Sequence, residues 1–181
     1  LKIIPSIPSL DPLDDPDSLT HYVGPLLLKN HWKPDNELVN FVNSARNYLV
    51  AVNFGGSVFL EDTYHKTIKA LLSYDYKTVI GIGPNFDTGK FQNKYKKYRN
   101  LLIRQYTPNE YLADKAKFFI TSGGHGTLSQ TFLNSCPVIC IPHNVDQNTF
   151  AQRVEELGGG LNAVGIDKPT KDLGYWEKRA S

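Results

Sequence analysis

The chain has no methionine, only two cysteines and no long hydrophobic run among its 181 residues. Since no apolar stretch approaches the roughly 20 residues of a membrane-spanning helix, no transmembrane segment is expected, and no signal peptide is visible. The two cysteines, Cys136 and Cys140, lack the partners of a metal site or a disulfide framework, which predicts buried thiols in a reducing compartment. These absences favour a cytoplasmic or membrane-peripheral location. The missing methionine, also at position 1, leaves two interpretations open, namely a piece of a longer protein or a sequence from which the methionines are missing.

Charge of one sign is not in excess either, because 20 basic side chains nearly balance 18 acidic ones. Nothing global therefore indicates a nucleic-acid partner. One local excess combines basic and aromatic residues, and its basic members are Lys90, Lys94, Lys96, Lys97 and Arg99. This pattern is typical of a solvated loop or helix whose lysine stems cover apolar neighbours. The alternative is a weak contact with an anionic membrane surface.

Two regions differ in composition. Residues 1–20 are rich in proline and acidic side chains, which predicts an interdomain linker or the tail of a missing N-terminal domain. Residues 21–181 alternate short apolar strands with helices, which predicts one α/β domain with a doubly wound, Rossmann-like parallel sheet. The expected strands are 22–28, 48–54, 77–83, 100–104, 117–121, 138–141 and 161–166. The expected helices are 35–47, 61–73, 109–116, 127–135 and 147–157, and a long polar loop follows the strand at 77–83.

Glycines and polar side chains follow two of these strands. Gly123 and Gly124 come directly after the strand at 117–121, and Asp146 and Gln147 come after the strand at 138–141. In doubly wound sheets, ligands bind beyond the carboxyl ends of the strands. Glycines let the backbone approach a ligand closely, amides at a helix start face an anion, and Asp and Gln can bind neighbouring hydroxyls. The sequence thus predicts a site for a phosphorylated, hydroxyl-rich ligand.

Several short motifs occur in one order along the chain. They are Tyr22-Val23-Gly24-Pro25-Leu26, Asn53-Phe54-Gly55-Gly56-Ser57, Tyr106-Thr107-Pro108-Asn109, Thr121-Ser122-Gly123-Gly124-His125-Gly126-Thr127 and Pro142-His143-Asn144-Val145-Asp146-Gln147. In that order they resemble the C-terminal half of GT-B glycosyltransferases, especially the UDP-glycosyltransferase superfamily and its bacterial macrolide-type members. The resemblance implies a nucleotide-sugar donor-binding domain of a hexosyltransferase, with a UDP-sugar as substrate and no cofactor.

The resemblance also implies roles for residues that bind the nucleoside. Tyr106 stands where the family stacks an aromatic ring on the base, and a strand-end core aromatic is the alternative. Backbone groups of Thr107 would contact the edge of the base. Asn109 and Gln130 stand at the positions that bind ribose; both are amides, so they recognise hydroxyls without charge.

Further residues match the family's diphosphate and sugar positions. The diphosphate would be held by the loop and helix start that comprise Ser122, Gly123, Gly124, His125, Gly126 and Thr127, with Ser57 reaching it from the first loop. Asp146 and Gln147 would bind hydroxyls of the donor sugar. For Asp146, the alternative is an N-cap at the start of the next helix.

Two residues depart from the family pattern. Ser122 stands where the family has a phosphate-binding histidine, so one charge-assisted contact is missing. His125 stands at a position that holds Trp or Ala in relatives, and we hypothesise that it supplies part of the missing phosphate or sugar contact. The alternative is a partly exposed loop histidine.

The implied reaction is an inverting, metal-independent transfer of the sugar to an acceptor. In the family the catalytic base lies in an N-terminal acceptor-binding domain, which is the expected partner, so no catalytic residue is assigned and the isolated segment is expected to be inactive. Two alternatives remain open. They are a UDP-sugar 2-epimerase-like enzyme and a non-catalytic nucleotide-sugar-binding domain.

Overall fold

The computed structural model describes residues 1–27, 33–45, 48–56 and 61–163. Two short strands come first, and from Asn36 onward helices and strands alternate. The strands are β1 (Lys2–Ile4), β2 (Thr20–Tyr22), β3 (Leu49–Asn53), β4 (Lys77–Gly81), β5 (Leu101–Arg104), β6 (Phe118–Thr121), β7 (Val138–Cys140) and β8 (Gly160–Asn162). The helices are α1 (Asn36–Asn43), α2 (Glu61–Leu71), α3 (Thr88–Tyr95), α4 (Asn109–Lys115), α5 (His125–Leu133) and α6 (Val145–Glu156).

Six of the strands form one parallel sheet in the order β5-β4-β3-β6-β7-β8. The chain begins this sheet at β3, adds β4 and β5 on one side, and then returns to add β6, β7 and β8 on the other. This is the strand order of a doubly wound sheet built from two mononucleotide-binding halves. The predicted fold class is therefore confirmed, and the order of the strands reverses between β3 and β6.

The sheet is covered on both faces, and the pattern within β3 explains why. Side chains alternate between the faces of a strand, so Leu49 and Ala51 pack with α1, α4, α5 and α6, whereas Val50 and Val52 pack with α2 and α3. Every one of these four side chains is at most 1% exposed. A strand that is apolar on both faces is the signature of a central parallel strand.

The first 27 residues are not a free linker. β1 pairs in parallel with β2, Leu10 is buried in the core cluster that also contains α6 residues, and Arg153 Nε donates a hydrogen bond to the Ser9 carbonyl at 2.6 Å. The segment therefore packs against the domain. Its proposed role as an interdomain linker stays a prediction.

The structure differs from the sequence prediction at two places. The predicted polar loop contains α3, because Asp87 caps the helix by accepting from the amides of Gly89 and Lys90 at 2.8 and 3.2 Å. Phe91 is the buried residue of this helix. The strand expected over 22–28 is wrong for residues 23–27, which are not in a strand; β2 covers Thr20–Tyr22, and residue 28 lies outside the described residues.

Both thiols are buried and free, as predicted. Burial raises the pKa of Cys136 to about 11 and that of Cys140 to about 12. In the described parts of the chain, no helix combines the length and the apolar character that crossing a membrane requires.

Candidate functional site

The loops that follow β3 and β6 meet where the strand order reverses. β3 and β6 are neighbours, with Asn53 opposite Thr121, so both loops leave the sheet side by side at its carboxyl edge. The Ser122 hydroxyl, in a side chain that is 3% exposed, donates a hydrogen bond to the Phe54 carbonyl at 3.0 Å. This bond joins the two loops across the crevice in which doubly wound sheets bind their ligands.

Ser122 therefore has a structural contact of its own. The observed contact explains how a small hydroxyl side chain is accommodated here. A contact between Ser122 and the donor stays a prediction, because Ser122 lies between the two loops that border the crevice.

Gly123 is the turn between β6 and α5. Its φ is +85°, in the left-handed region, and a Cβ at this position would lie 3.0 Å from the Gln147 carbonyl oxygen. Both observations require glycine, because an L side chain is strained at this φ and would also contact the backbone of α6. The turn thereby holds the start of α5 close to the start of α6.

The N-terminus of α5 presents free backbone amides. Gly124 is the N-cap and has no side chain to accept a hydrogen bond, and the first intrahelical bond runs from the Leu128 amide to the Gly124 carbonyl at 3.0 Å. The amides of His125, Gly126 and Thr127 precede that bond and have no acceptor within the helix. Gly126 is exposed, and nothing lies within 4 Å of the position of a Cβ built on it. An anion can therefore reach the partial positive charge at this helix start.

A polar cluster lies at the carboxyl ends of β3 and β5. Asn53 Nδ2 donates to Thr107 Oγ1 at 3.1 Å and to Asn109 Oδ1 at 3.0 Å, and Thr107 Oγ1 donates to the same Asn109 oxygen at 3.0 Å. Asn53 Oδ1 accepts from the Gly55 amide at 2.8 Å, which fixes the loop after β3. The two lone pairs of Asn109 Oδ1 are thus used by protein donors, so its amide nitrogen is the side-chain group with which Asn109 could contact a ligand, as a donor.

Asn53 is the site residue that sequence reasoning missed. It is the first residue of the motif Asn53-Phe54-Gly55-Gly56-Ser57, and the sequence predicts no role for it. The available signal was a polar residue at the end of an otherwise apolar strand, directly before the glycine pair. Its two side-chain functions connect the loop after β3 with the loop after β5.

Tyr106 lies two residues beyond β5 and is 57% exposed. The alternative of a core aromatic is therefore wrong. The neighbouring Gln105 is anchored instead, since its amide nitrogen donates to the carbonyls of Gly83 and Phe86 and its amide oxygen accepts from the Thr88 hydroxyl. This anchoring holds the turn that carries the Tyr106 ring at the surface.

The start of α6 corrects one expectation. Asn144, not Asp146, is the N-cap, and its side chain accepts from the Gln147 amide at 2.9 Å. Asp146 lies in the first turn and is exposed. Gln147 is only 5% exposed, and its Oε1 accepts from the His143 amide at 2.9 Å. Of the two predicted sugar contacts, Asp146 is therefore the accessible one.

The remaining predicted residues lie on α5 or outside the described chain. His125 is the first residue of α5 rather than a loop residue, and its ring centroid lies 5.5 Å from that of Phe150 on α6. Thr127 and Gln130 are half-buried on the first turns of the same helix. Ser57 falls outside the described residues.

Within the described ranges, the structure contains no group of three or more His, Cys, Asp or Glu side chains that could hold a metal ion. His65 lies on α2, where its ring nitrogens contact the Tyr95 hydroxyl at 2.7 Å and Glu61 at 3.0 Å. Its ring also stacks on Phe91, with centroids 4.8 Å apart. These contacts belong to the packing of α2 on α3, so no catalytic role is assigned to it.

Comparisons with known proteins agree with this geometry. The model of the glycosyltransferase family 28 C-terminal domain matches residues 51–173. The chain is 26% identical over 157 residues to NDP-glycosyltransferase YjiC of Bacillus licheniformis. The matched segment covers 87% of this chain and 39% of that protein. The chain spans 39% of the length of this relative and 9% of the length of the sterol 3-beta-glucosyltransferase of Debaryomyces hansenii, to which it is 27% identical over 141 residues.

Solved structures share the fold at low sequence identity. The glycotransferase of kitacinnamycin superposes with a TM-score of 0.72 at 19% identity, over 88% of this chain and 40% of that one. Os79 from O. sativa in complex with UDP superposes with a TM-score of 0.59 at 18% identity, over 67% of this chain and 28% of that one. The architecture is therefore that of the C-terminal, Rossmann-like domain of a GT-B glycosyltransferase.

Proposed function

Because this chain belongs to the glycosyltransferase family 28 C-terminal domain family, we propose that it binds the nucleotide-sugar donor of a glycosyltransferase, with a UDP-sugar as the ligand. The observation that carries the proposal is the convergence of three features on one crevice. These are the amides at the start of α5, the Gly123 turn and the cluster around Asn53. Os79, a structural neighbour, has UDP bound.

The proposed site extends from base to sugar along the carboxyl edge of the sheet. The exposed Tyr106 ring stacks on the base, in a contact that contributes about 1–3 kcal/mol where bases stack on aromatic side chains. The Thr107 backbone contacts the edge of the base, while the Asn109 amide nitrogen and Gln130 bind ribose. Because Asn109 donates, its ligand partner must be an oxygen acceptor.

The diphosphate lies at the N-terminus of α5 in this proposal. The amides of His125, Gly126 and Thr127, with the Thr127 hydroxyl and the Gly123–Gly124 turn, replace the missing histidine as its hydrogen-bond donors. Each helix-terminus interaction contributes about 0.3–1 kcal/mol when exposed and more when water is excluded. Ser57 is assigned the same ligand, and Asp146 binds hydroxyls of the sugar while Gln147 supports the turn.

The proposed reaction is an inverting transfer. The acceptor oxygen forms a bond with the anomeric carbon of the sugar while the bond from that carbon to the diphosphate oxygen breaks, and a base takes the acceptor proton. The charge that develops on the departing nucleoside diphosphate is stabilised by the α5 amides, which are already oriented before the reaction. We expect no cofactor, and we assign the acceptor and the base to a separate N-terminal domain.

We further propose a weak contact with an anionic membrane surface through α3 and the turn after it. Lys90, Lys94, Lys96, Lys97 and Arg99 are exposed. The ammonium groups of Lys94 and Lys97 lie 5.8 and 4.9 Å from the ring centroids of Tyr95 and Tyr98. Lysines beside tyrosines suit an interface at which charge meets anionic headgroups and the rings meet the boundary of the acyl chains.

The donor proposal is tested by thermal unfolding of this chain with UDP, dTDP, GDP and their sugars. A ligand at 100 times its Kd stabilises the folded state by about 2.7 kcal/mol. UDP and UDP-sugars should raise the melting temperature in a saturable manner, and Tyr106→Ala should weaken the effect. Tyr74→Ala is the matched control, because Tyr74 is equally exposed but lies beyond α2. The absence of stabilisation by every nucleotide would reject the proposal.

A further inference from the structure

A second cleft lies beside the proposed donor site, between the N-terminal segment and helix α5. Its volume is about 180 Å³. The N-terminal segment contributes the side chains of Ile7, Leu10 and Pro25, and α5 contributes Ser129 and Phe132. Most of this lining is apolar, so the cleft favours an apolar occupant.

The walls of the cleft are held in place without a ligand. Leu10 is buried in the main core cluster, and the Gly24 amide donates to the Ser6 carbonyl at 3.1 Å, next to Pro25. Arg153 fixes the same segment from α6 through its bond to the Ser9 carbonyl. The opposite wall is a regular helix. A preformed cleft binds without the entropic cost of ordering its own walls.

The size and the polar groups of the cleft narrow the class of ligand. A protein cavity of about 150 Å³ lined by aliphatic and aromatic side chains binds benzene, so this cleft has room for one six-membered ring with a substituent. His125 and Ser129 lie one helical turn apart and both line it. The Ser6 hydroxyl lies buried in the wall and has no hydrogen-bond partner among the residues that the structure describes. The cleft therefore combines an apolar floor with hydroxyl and imidazole groups.

His125 connects the cleft to the proposed donor site. Its amide belongs to the free N-terminal amides of α5, while its side chain lines the cleft. A ligand in the cleft therefore lies beside the helix start at which the diphosphate is proposed to bind. We propose that the cleft binds a single-ring alcohol or phenol whose hydroxyl is directed towards Ser129 and His125. This binding site does not rest on the proposed function, which assigns the acceptor to a separate N-terminal domain.

The test titrates phenol into this chain and follows the amide resonances of Ile7, Ser129 and Leu133 by NMR. Leu133 is a lining residue that is 66% exposed at the end of α5, so Leu133→Trp should cover the cleft without disturbing the core. Phenol should shift these resonances in a saturable manner, and Leu133→Trp should weaken its binding at least tenfold. Leu157→Trp is the control, because Leu157 is 49% exposed at the end of α6, and it should bind phenol normally.

Two further measurements make the result decisive. The original chain should bind phenol more tightly than toluene, which lacks the hydroxyl, and Ser129→Ala should abolish this preference. If Leu133→Trp does not fold, Ile7→Trp is used in its place to cover the cleft. Non-saturable shifts, or equal binding by the covering and control variants, would overturn the inference. UDP is titrated into the same proteins. If phenol binds in the cleft and UDP does not bind, the donor proposal fails and the cleft proposal stands. If UDP binds and phenol does not bind in the cleft, the cleft proposal fails and the donor proposal stands.

Discussion

Ser122 Oγ and the Phe54 carbonyl oxygen lie 3.0 Å apart and join the loops that follow β3 and β6. The bond is buried, and it spans the point at which the strand order reverses. The hydroxyl at this position therefore has a structural role, because it holds the two loops together.

Replacing Ser122 by alanine should lower both stability and donor affinity. The variant leaves the Phe54 carbonyl without its donor, and a buried unsatisfied group costs about 1–3 kcal/mol. Since the two loops border the crevice, affinity for UDP should fall several-fold. Denaturant unfolding and UDP calorimetry provide the measurements. In the control Ser73→Ala, an exposed serine loses its bond to the Ala70 carbonyl, which should change stability by less than about 0.5 kcal/mol. Equal effects of the two substitutions would contradict this role.

The Asn53 cluster gives a second prediction. Asn53→Ala removes the donor to Thr107 and Asn109 and the acceptor of the Gly55 amide, so stability should fall by about 1–3 kcal/mol. Because the cluster positions Asn109, Asn53→Ala should also weaken UDP binding. Asn53→Asp keeps the acceptor of the Gly55 amide but places a carboxylate oxygen against Asn109 Oδ1, so it should weaken UDP binding at least as strongly as Asn53→Ala. Both effects are measured by unfolding and calorimetry.

Asn100→Ala is the control for affinity. Its side chain donates to the Tyr76 carbonyl at 3.1 Å and precedes β5, at the opposite end of the sheet. It should lower stability while leaving UDP affinity unchanged. If Asn53→Ala lowered stability alone, the cluster would be a packing feature and not part of the donor site.

Gly123 and Gly126 form a matched pair for a third prediction. Gly123→Ala is strained at φ +85° and places a Cβ 3.0 Å from the Gln147 carbonyl oxygen, so a loss of about 2 kcal/mol or more is expected. At Gly126 the Cβ position is open, and Gly→Ala inside a helix contributes about 0.5–1 kcal/mol. That variant should be more stable and yet bind UDP less well, because the new methyl group lies where the diphosphate is proposed. A stabilised Gly126→Ala with unchanged UDP affinity would argue against the phosphate position.

The sequence predicted the sheet well because its strands are short apolar runs that end at glycine or polar residues. The sequence did not predict α3, because Phe91 is the buried residue of that helix and a single apolar position gives no helical periodicity. The N-cap of α6 depends on the backbone angles of Asn144, which composition does not reveal. The docking of residues 1–27 depends on long-range contacts such as that between Arg153 and Ser9.

The site was predictable as a set of positions and not as a set of hydrogen bonds. The glycine turn and the helix start follow from the motif around Gly123. The direction of Asn109 does not, because it depends on Asn53 from another strand. Likewise, the burial of Gln147 follows from its bond to the His143 amide.

The two thiols should be inert in the folded protein. Burial raises the pKa of Cys136 to about 11 and of Cys140 to about 12 from an ordinary value of 9.0, and the reactive form is the thiolate. A thiol reagent at pH 8 should modify neither residue until the chain unfolds. Above a pH of about 9 the thiols ionise in the unfolded chain but stay protonated in the folded one. The free energy of unfolding should therefore fall as the pH rises from about 9 towards 11 and 12. Cys136→Ala/Cys140→Ala should reduce that alkaline loss, and rapid native labelling would contradict the burial.

The basic surface formed by α3 and the turn after it gives the last prediction. Lys96→Glu/Lys97→Glu should lower binding to phosphatidylserine-containing vesicles at least tenfold, since each lysine near such a surface contributes about 1 kcal/mol. Lys69→Glu/Lys117→Glu makes the same change in charge at exposed positions outside α3 and the turn after it and should bind nearly as well as the original chain. Binding should weaken as salt rises, because exposed charges are screened beyond about 10 Å at 0.1 M ionic strength. If the two double variants lost binding equally, the attraction would depend on net charge alone, and α3 would be an ordinary solvated helix.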